Sequence, residues 1–205
     1  MSLVDRIHET HVSPRRIRVL ARHLAPLVPE GAGVLDVGCG DGFLSSLLLQ
    51  HRPDLALKGL DVLIRDRTYI PVERFDGQVI PYGDQSFDVV MFLDTLHHTT
   101  DPMVLLREGV RVARRALVIK DHTRDGVLAA ATLRLMDRIG NARFGVALPY
   151  TYWPTHQWLE AVASLGLTVG EWKSALGLYP WPATWLFDRS LHFIARLDIP
   201  VERRH

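Results

Sequence analysis

The stretch Val34-Leu-Asp-Val-Gly-Cys-Gly-Asp-Gly-Phe-Leu44 runs an apolar strand straight into a glycine-rich turn and then into the start of a helix. Glycines at 38, 40 and 42 let the backbone turn sharply. They also let a ligand approach main-chain N–H groups at the head of the helix. The G-x-G-x-G spacing is not the G-x-G-x-x-G of the dinucleotide fingerprint. Asp61 closes the next apolar run. A doubly wound sheet sets such a carboxylate beside the first turn, where it can accept hydrogen bonds from ribose hydroxyls.

The rest of the chain keeps the strand–helix alternation. Ser13 as N-cap and Pro14 in the first turn predict a helix over 14–28, with Ile17, Leu20, Leu24, Leu27 and Val28 on one face. Strands are expected at 34–37, 55–62, 72–75, 87–93 and 116–120, with helices running to about Gln50 and over 103–114. Helices over 128–139 and 155–165 and strands over 167–172 and 191–197 complete the pattern. This order implies a parallel sheet covered by helices on both faces. A length of 205 residues suits one domain. The apolar share of 47% and charged share of 23% exclude a disordered or collagen-like chain. The net charge of +1 gives no electrostatic argument for nucleic acid as a partner. One cysteine excludes an internal disulfide framework and a multi-cysteine zinc site. No apolar run reaches the roughly 18 residues of a membrane span, and the first residues lack a secretory leader, so a cytoplasmic protein is expected.

Three ordered motifs carry a resemblance. The glycine turn is followed by Ile80-Pro-Tyr-Gly-Asp-Gln-Ser-Phe-Asp88, and the next strand leads to Leu96-His97-His98. From Val34 to about Lys120 the chain resembles the class I S-adenosylmethionine-dependent methyltransferases, in style closest to the small-molecule, type 11-like group. The resemblance implies an α/β fold: a doubly wound, mostly parallel, seven-stranded Rossmann-like sheet with an antiparallel last strand pair and N-terminal helices. It further implies one domain with a helical cap over 1–30, a cofactor-binding core over 31–122 and an acceptor-side region with the last strands over 123–205. S-adenosylmethionine is the implied cofactor and S-adenosylhomocysteine the product. Asp36 would hold the methionine amino end, with room from Gly38, Cys39 and Gly40. Asp61 would take the ribose hydroxyls, with Val62 beside it. Asp76 and the backbone of Gly77 would contact adenine, although Asp-Gly replaces the commoner Asp-Ala. The backbone near Leu93 would touch the methionine portion.

In open parallel sheets the ligand crevice lies beyond the carboxyl ends of the strands. Asp94, His97, His98, Asp121 and His122 cluster there in the expected topology. Methyl transfer to a weak nucleophile gains from orientation and from a base of near-neutral pKa. His122 is the first candidate base and His97 the second; a wall of the cofactor pocket is the competing role for both. The spacing of these residues does not support a metal site, and none is expected. All five tryptophans lie between Trp153 and Trp185, and the two prolines at 180 and 182 resist regular structure there. Trp181 and Trp185 are candidates to cover an apolar acceptor, with packing on the N-terminal helix or a dimer contact as the alternatives, and Tyr150, Tyr152 and His156 are further candidates for the same pocket.

The expected function is therefore methyl transfer to a small, partly apolar molecule. No Asn-Pro-Pro-Tyr-like amine motif follows the fourth strand, where Leu93-Asp-Thr-Leu96 stands instead. The alternative is a non-catalytic methyltransferase-fold partner subunit. A nicotinamide-dependent oxidoreductase fails on the glycine spacing. The acceptor, the methylated atom and any homo-oligomer stay open.

Overall fold

The computed structural model describes residues 13–126, 128–141, 149–179, 181, 184 and 191–200. Helix α1 spans Ser13–Leu24 and passes into a 3-10 turn at Ala25–Leu27. The helix expected to reach residue 28 is shorter because Pro26 offers no N–H and blocks the preceding turn. There follow β1 (Gly33–Val37), α2 (Phe43–His51), β2 (Ala56–Asp61), β3 (Val72–Arg74), β4 (Phe87–Leu93) and a 3-10 turn at Leu96–His98. The chain continues with α3 (Pro102–Val112), β5 (Ala113–His122), α4 (Ala129–Asn141), α5 (Thr155–Ser164), β6 (Thr168–Lys173) and β7 (His192–Asp198).

The strands form one seven-stranded sheet in the order β3-β2-β1-β4-β5-β7-β6. Pairings from β3 to β5 are parallel, and β7 runs antiparallel between β5 and β6. The expected sheet, with its antiparallel last pair, is the one observed. Strand order reverses between β1 and β4, so the crevice beyond their carboxyl ends is the natural ligand position of this topology.

Alternation along the strands divides the core into two layers. Leu35, Val37, Val90, Phe92, Leu117 and Ile119 join Leu105 and Leu106 of α3 and Trp158 of α5 on one face. Val34, Val89, Met91 and Val118 join Leu20 and Leu24 of α1 and Leu48 of α2 on the other. Each leucine fully buried in this way contributes roughly 1.5–3 kcal/mol. Helix α3 starts cleanly because Asp101 accepts the Met103 N–H at 2.9 Å and Pro102 occupies the first turn.

One expectation needs correction. The strand placed at 116–120 runs over Ala113–His122, directly from the end of α3. Asp121 and His122 are therefore in the sheet, opposite Phe193 and His192 of β7, and not in a loop beyond it. The same alternation puts Lys120 and His122 on the face of Val118, and Asp121 on the face of Leu117 and Ile119. Among the described residues, no helix is long and apolar enough to cross a membrane.

Candidate functional site

The glycine turn caps β1 through two hydrogen bonds to one carbonyl: Gly38 N–H and Cys39 N–H donate to Leu60 O at 2.7 and 3.1 Å. Gly38 has φ 76°, and a Cβ there would lie 2.3 Å from Thr95 Cγ2, so this position admits no side chain. Gly40 also has positive φ, at 62°, yet a Cβ on it would meet nothing within 4 Å. The turn is tightly packed on its β4 side and open beside Gly40. Cys39 turns its sulfur toward Gly59, where a Cβ would lie 2.4 Å away. Burial, with the carboxylates of Asp36 and Asp61 nearby, pushes its thiol up, which makes it inert at neutral pH.

Asp36 and Asp61 flank the turn in different states. Asp61 is 8% exposed and already accepts two backbone N–H groups, from Gly40 at 2.8 Å and Leu63 at 2.9 Å. It holds the turn's shape, and a carboxylate has lone pairs left for further donors. Asp36 is 2% exposed; its Oδ2 accepts the Ser45 hydroxyl at 2.6 Å, while its Oδ1 is buried with no partner. Burial pushes its carboxyl up to about 7, against the Ser45 hydrogen bond and with a further push from Asp61. A buried carboxylate oxygen without a donor, beside a turn that is open at Gly40, fits a ligand that brings an ammonium group.

The remaining cofactor-side residues form a rim. Asp76 is exposed and accepts N–H bonds from Gln78 and Val79, both at 2.8 Å, which hold its carboxyl below the ordinary range. Gly77, at φ 81°, abuts Val62, whose methyl would sit 3.0 Å from an added Cβ. Val62, Leu63 and Ile64 expose 51%, 46% and 42% of their surface and form an apolar border after β2. Leu93 is buried at the end of β4.

Next to this rim lies a polar cluster at the ends of β4, β5 and β7. Asp94 has φ 56°, and its two oxygens are held by Arg16 of α1, at 2.6 Å, and by Lys120. Burial raises Asp94, but Lys120, Arg16 and the histidines outweigh it and keep the carboxyl well below its usual range. Lys120 is fully buried, and that burial draws its ammonium down to about 8 against the pull of Asp94. His122 lies on the same face, with its Nε2 3.5 Å from Asp94 Oδ1 and its buried Nδ1 without a partner. Burial, then the charges of Lys120, His97 and His192, hold His122 well below the ordinary imidazole range. His97 is 2% exposed, and its Nδ1 lies 2.6 Å from Asp121 Oδ1. The rings pack closely: His97 to His98 at 4.0 Å, His97 to His122 at 4.7 Å and His122 to His192 at 4.7 Å.

The structure joins Tyr152 to this group, with its ring stacked 5.7 Å from His97 and edge-on to His122 at 6.0 Å. Tyr150 is partly exposed and 6.3 Å from Tyr152. His156 is exposed on the first turn of α5, and Trp181 is 87% exposed, so neither packs into the cluster. Trp185 lies outside the described residues. Arg16, Ser45, Lys120 and His192 were not legible as site residues. Lys120 alone carried a signal, as a charge ending the apolar run Ala116–Ile119. Among the described residues, Asp94, His97 and His122 bring one ligand atom each within 4.8 Å of one another. Arg16 and Lys120 already pair with the two Asp94 oxygens.

The 27-O-demethylrifamycin SV methyltransferase of Amycolatopsis mediterranei is 33% identical over 110 residues, 46% of this chain and 40% of that protein. This chain spans under half the length of the curated relatives it matches. A chain from the complex between the Haloferax volcanii Trm112 methyltransferase activator and a methyltransferase superposes with TM-score 0.66 at 18% identity, covering 97% of this chain and 98% of that one. A SAM-dependent methyltransferase from Aquifex aeolicus gives TM-score 0.62 at 18% identity, covering 96% and 98%. Likeness at that identity establishes the class I methyltransferase fold. Residues 18–159 match the family of the methionine biosynthesis protein MetW, and the chain belongs to that family.

Proposed function

We propose that the chain transfers a methyl group from S-adenosylmethionine to a small, partly apolar molecule. The observation that carries this reading is the buried, partnerless Oδ1 of Asp36 beside the open side of the glycine turn. Asp36 would accept the amino group of the methionine end, and the backbone of Gly38, Cys39 and Gly40 would line it. Asp61 would accept ribose hydroxyls on the lone pairs that Gly40 and Leu63 leave unused. Val62, Asp76 and the Gly77 backbone would border adenine, and the Leu93 backbone the methionine chain. When bound, this cofactor supplies an electrophilic methyl carbon on a sulfonium. The residues then have two tasks, to align the acceptor with that carbon and to take up its proton, for which His97 and His122 are the candidates. Residues 1–30 would cap the site, 31–122 hold the cofactor and 123–205 shape the acceptor side, with Tyr150, Tyr152, His156, Trp181 and Trp185 as its candidate cover.

Calorimetric titration with S-adenosylhomocysteine, with NAD as control, tests the reading. One-to-one micromolar binding of the first and none of the second is expected; the reverse, or no binding to folded protein, overturns it. One similarity favours a second reading, a partner subunit of methyltransferase fold: a chain of this fold occurs in a complex with an activator. The apolar border at Val62, Leu63 and Ile64 would then serve a protein surface, and the titration would be silent.

A further inference from the structure

We infer that the outer face of α1, with Trp181 beside it, is a docking surface for an anionic lipid membrane. This goes beyond the methyl-transfer reading and does not depend on it. Charge is unevenly distributed along the chain. The whole is near neutral, with 24 Lys plus Arg against 23 Asp plus Glu. Helix α1 departs from that balance: it carries Arg15, Arg16, Arg18 and Arg22 and no carboxylate. Helix α2, which packs alongside it, has no carboxylate either.

At about 100° per residue, Arg15, Arg18 and Arg22 fall within roughly 60° of one another, opposite Leu20 and Leu24. All three arginines are exposed, and the two leucines are buried. Arg16 turns to the flank and pairs with Asp94, so it stands outside the row. Among the described residues, Arg15 donates only to the Gly177 carbonyl, at 3.4 Å, and Arg18 and Arg22 have no hydrogen bond or ion pair. Three guanidiniums thus lie along about 10 Å of helix with no anion of the protein's own to meet them.

Trp181 stands on the segment that packs against this helix. Leu176, Leu178 and Tyr179 are buried with Leu20 and Leu24, and His23 Nε2 donates to the Leu176 carbonyl at 3.0 Å. Thr184 Oγ1 donates back to the Tyr179 carbonyl at 2.7 Å and closes a turn. Within that turn Trp181 is 87% exposed. Tryptophan is highly buried on average, so an indole left in water marks a contact surface.

The row and the indole together select a lipid surface. Anionic headgroups attract guanidiniums, and three of them raise partitioning about a hundredfold at low salt. An indole settles between headgroups and acyl chains, with its N–H toward water. A nucleic acid would use the row, but it rewards a wider positive field than a chain of net charge +1 provides. An acidic protein would pair with the guanidiniums without needing the indole in an apolar layer. Such attachment is peripheral and requires no spanning helix. Arg16 reaches Asp94 at the crevice from the same helix, so docking brings the crevice to the bilayer, where partly apolar molecules collect.

Flotation of the full chain with phosphatidylcholine vesicles, with and without phosphatidylglycerol, tests the docking. Binding is expected only where phosphatidylglycerol is present, and it weakens as added salt shortens the Debye length. Arg15→Ala/Arg18→Ala/Arg22→Ala is expected to bind those vesicles about a hundredfold more weakly, with an unchanged melting temperature. Brominated lipid is expected to quench wild-type tryptophan fluorescence and to leave Trp181→Ala unquenched, a readout that does not rely on the triple variant folding. Equal binding to both vesicles, binding to neither, or undiminished binding by a folded triple variant overturns the inference. Tighter binding to single-stranded RNA or to polyglutamate than to the vesicles, at matched charge concentration, overturns it in favour of that partner. Vesicle binding needs no S-adenosylhomocysteine, so failure here and failure of the methyl-transfer reading are read separately.

Discussion

Cofactor binding is expected to release a proton from Asp36. Its carboxyl is 2% exposed and holds one hydrogen bond, from Ser45, and burial raises it to about 7. The ligand's ammonium pairs with the ionised form, so binding selects that form and expels the proton. At pH 6 about one carboxyl in eleven is ionised, and affinity is roughly tenfold weaker than at pH 8. About 0.9 proton is released per ligand at pH 6, and about 0.1 at pH 8. Asp36→Asn removes the pH dependence and the charge-assisted bond, a loss of roughly 1.5–3 kcal/mol or about ten- to 150-fold in Kd. The same shift acts on stability with the opposite trend. The folded carboxyl lies above its ordinary 3.8, so the ligand-free protein loses stability as pH rises from about 4 to 7. On the order of 4 kcal/mol is at stake, and Asp36→Asn melts higher than wild type at pH 8. Calorimetry of S-adenosylhomocysteine in two buffers of different ionisation enthalpy reads the proton count directly. Equal affinity at pH 6 and 8 with no proton released would refute the assignment of the unpartnered oxygen to a cationic ligand.

Other perturbations separate the turn from the cluster. Asp61→Ala is expected to weaken S-adenosylhomocysteine binding about tenfold to a few hundredfold in calorimetry, and to lower the melting temperature because Gly40 loses its acceptor. Gly38→Ala sets a methyl against Thr95 at a positive φ, so urea denaturation should show a loss of about 1–3 kcal/mol that Thr95→Gly partly recovers. Lys120→Met removes one of the two cations on Asp94 and should cost about 3 kcal/mol in the same assay, with Asp94→Asn recovering part of it.

Much of the fold was readable because local patterns and tertiary demands agree in the first half. The run Val34–Leu44 carries its own strand, turn and helix signals, and Pro102 with Asp101 marks the start of α3. The end of β5 was not readable. The expected strand stops at Lys120 because Asp121 and His122 look like a loop by polarity, and only β7 and the His97 turn make them a buried strand. The sequence marks Asp61 as a candidate acid, but its bonds to Gly40 and Leu63 depend on a turn geometry that spacing does not reveal. Arg16 projects from α1 into an ion pair 78 positions away in sequence, a contact no local pattern encodes. Trp181 fitted an aromatic cover by composition, yet it stands 87% exposed.

Methyl transfer itself is tested most directly by incubating the full chain with S-adenosylmethionine labelled in its methyl group and a small-molecule extract, then fractionating the products. Label in the organic-soluble, low-molecular-weight fraction, together with stoichiometric S-adenosylhomocysteine, is the expected result. A folded protein that binds S-adenosylhomocysteine and moves no label into that fraction would contradict methyl transfer to a small molecule.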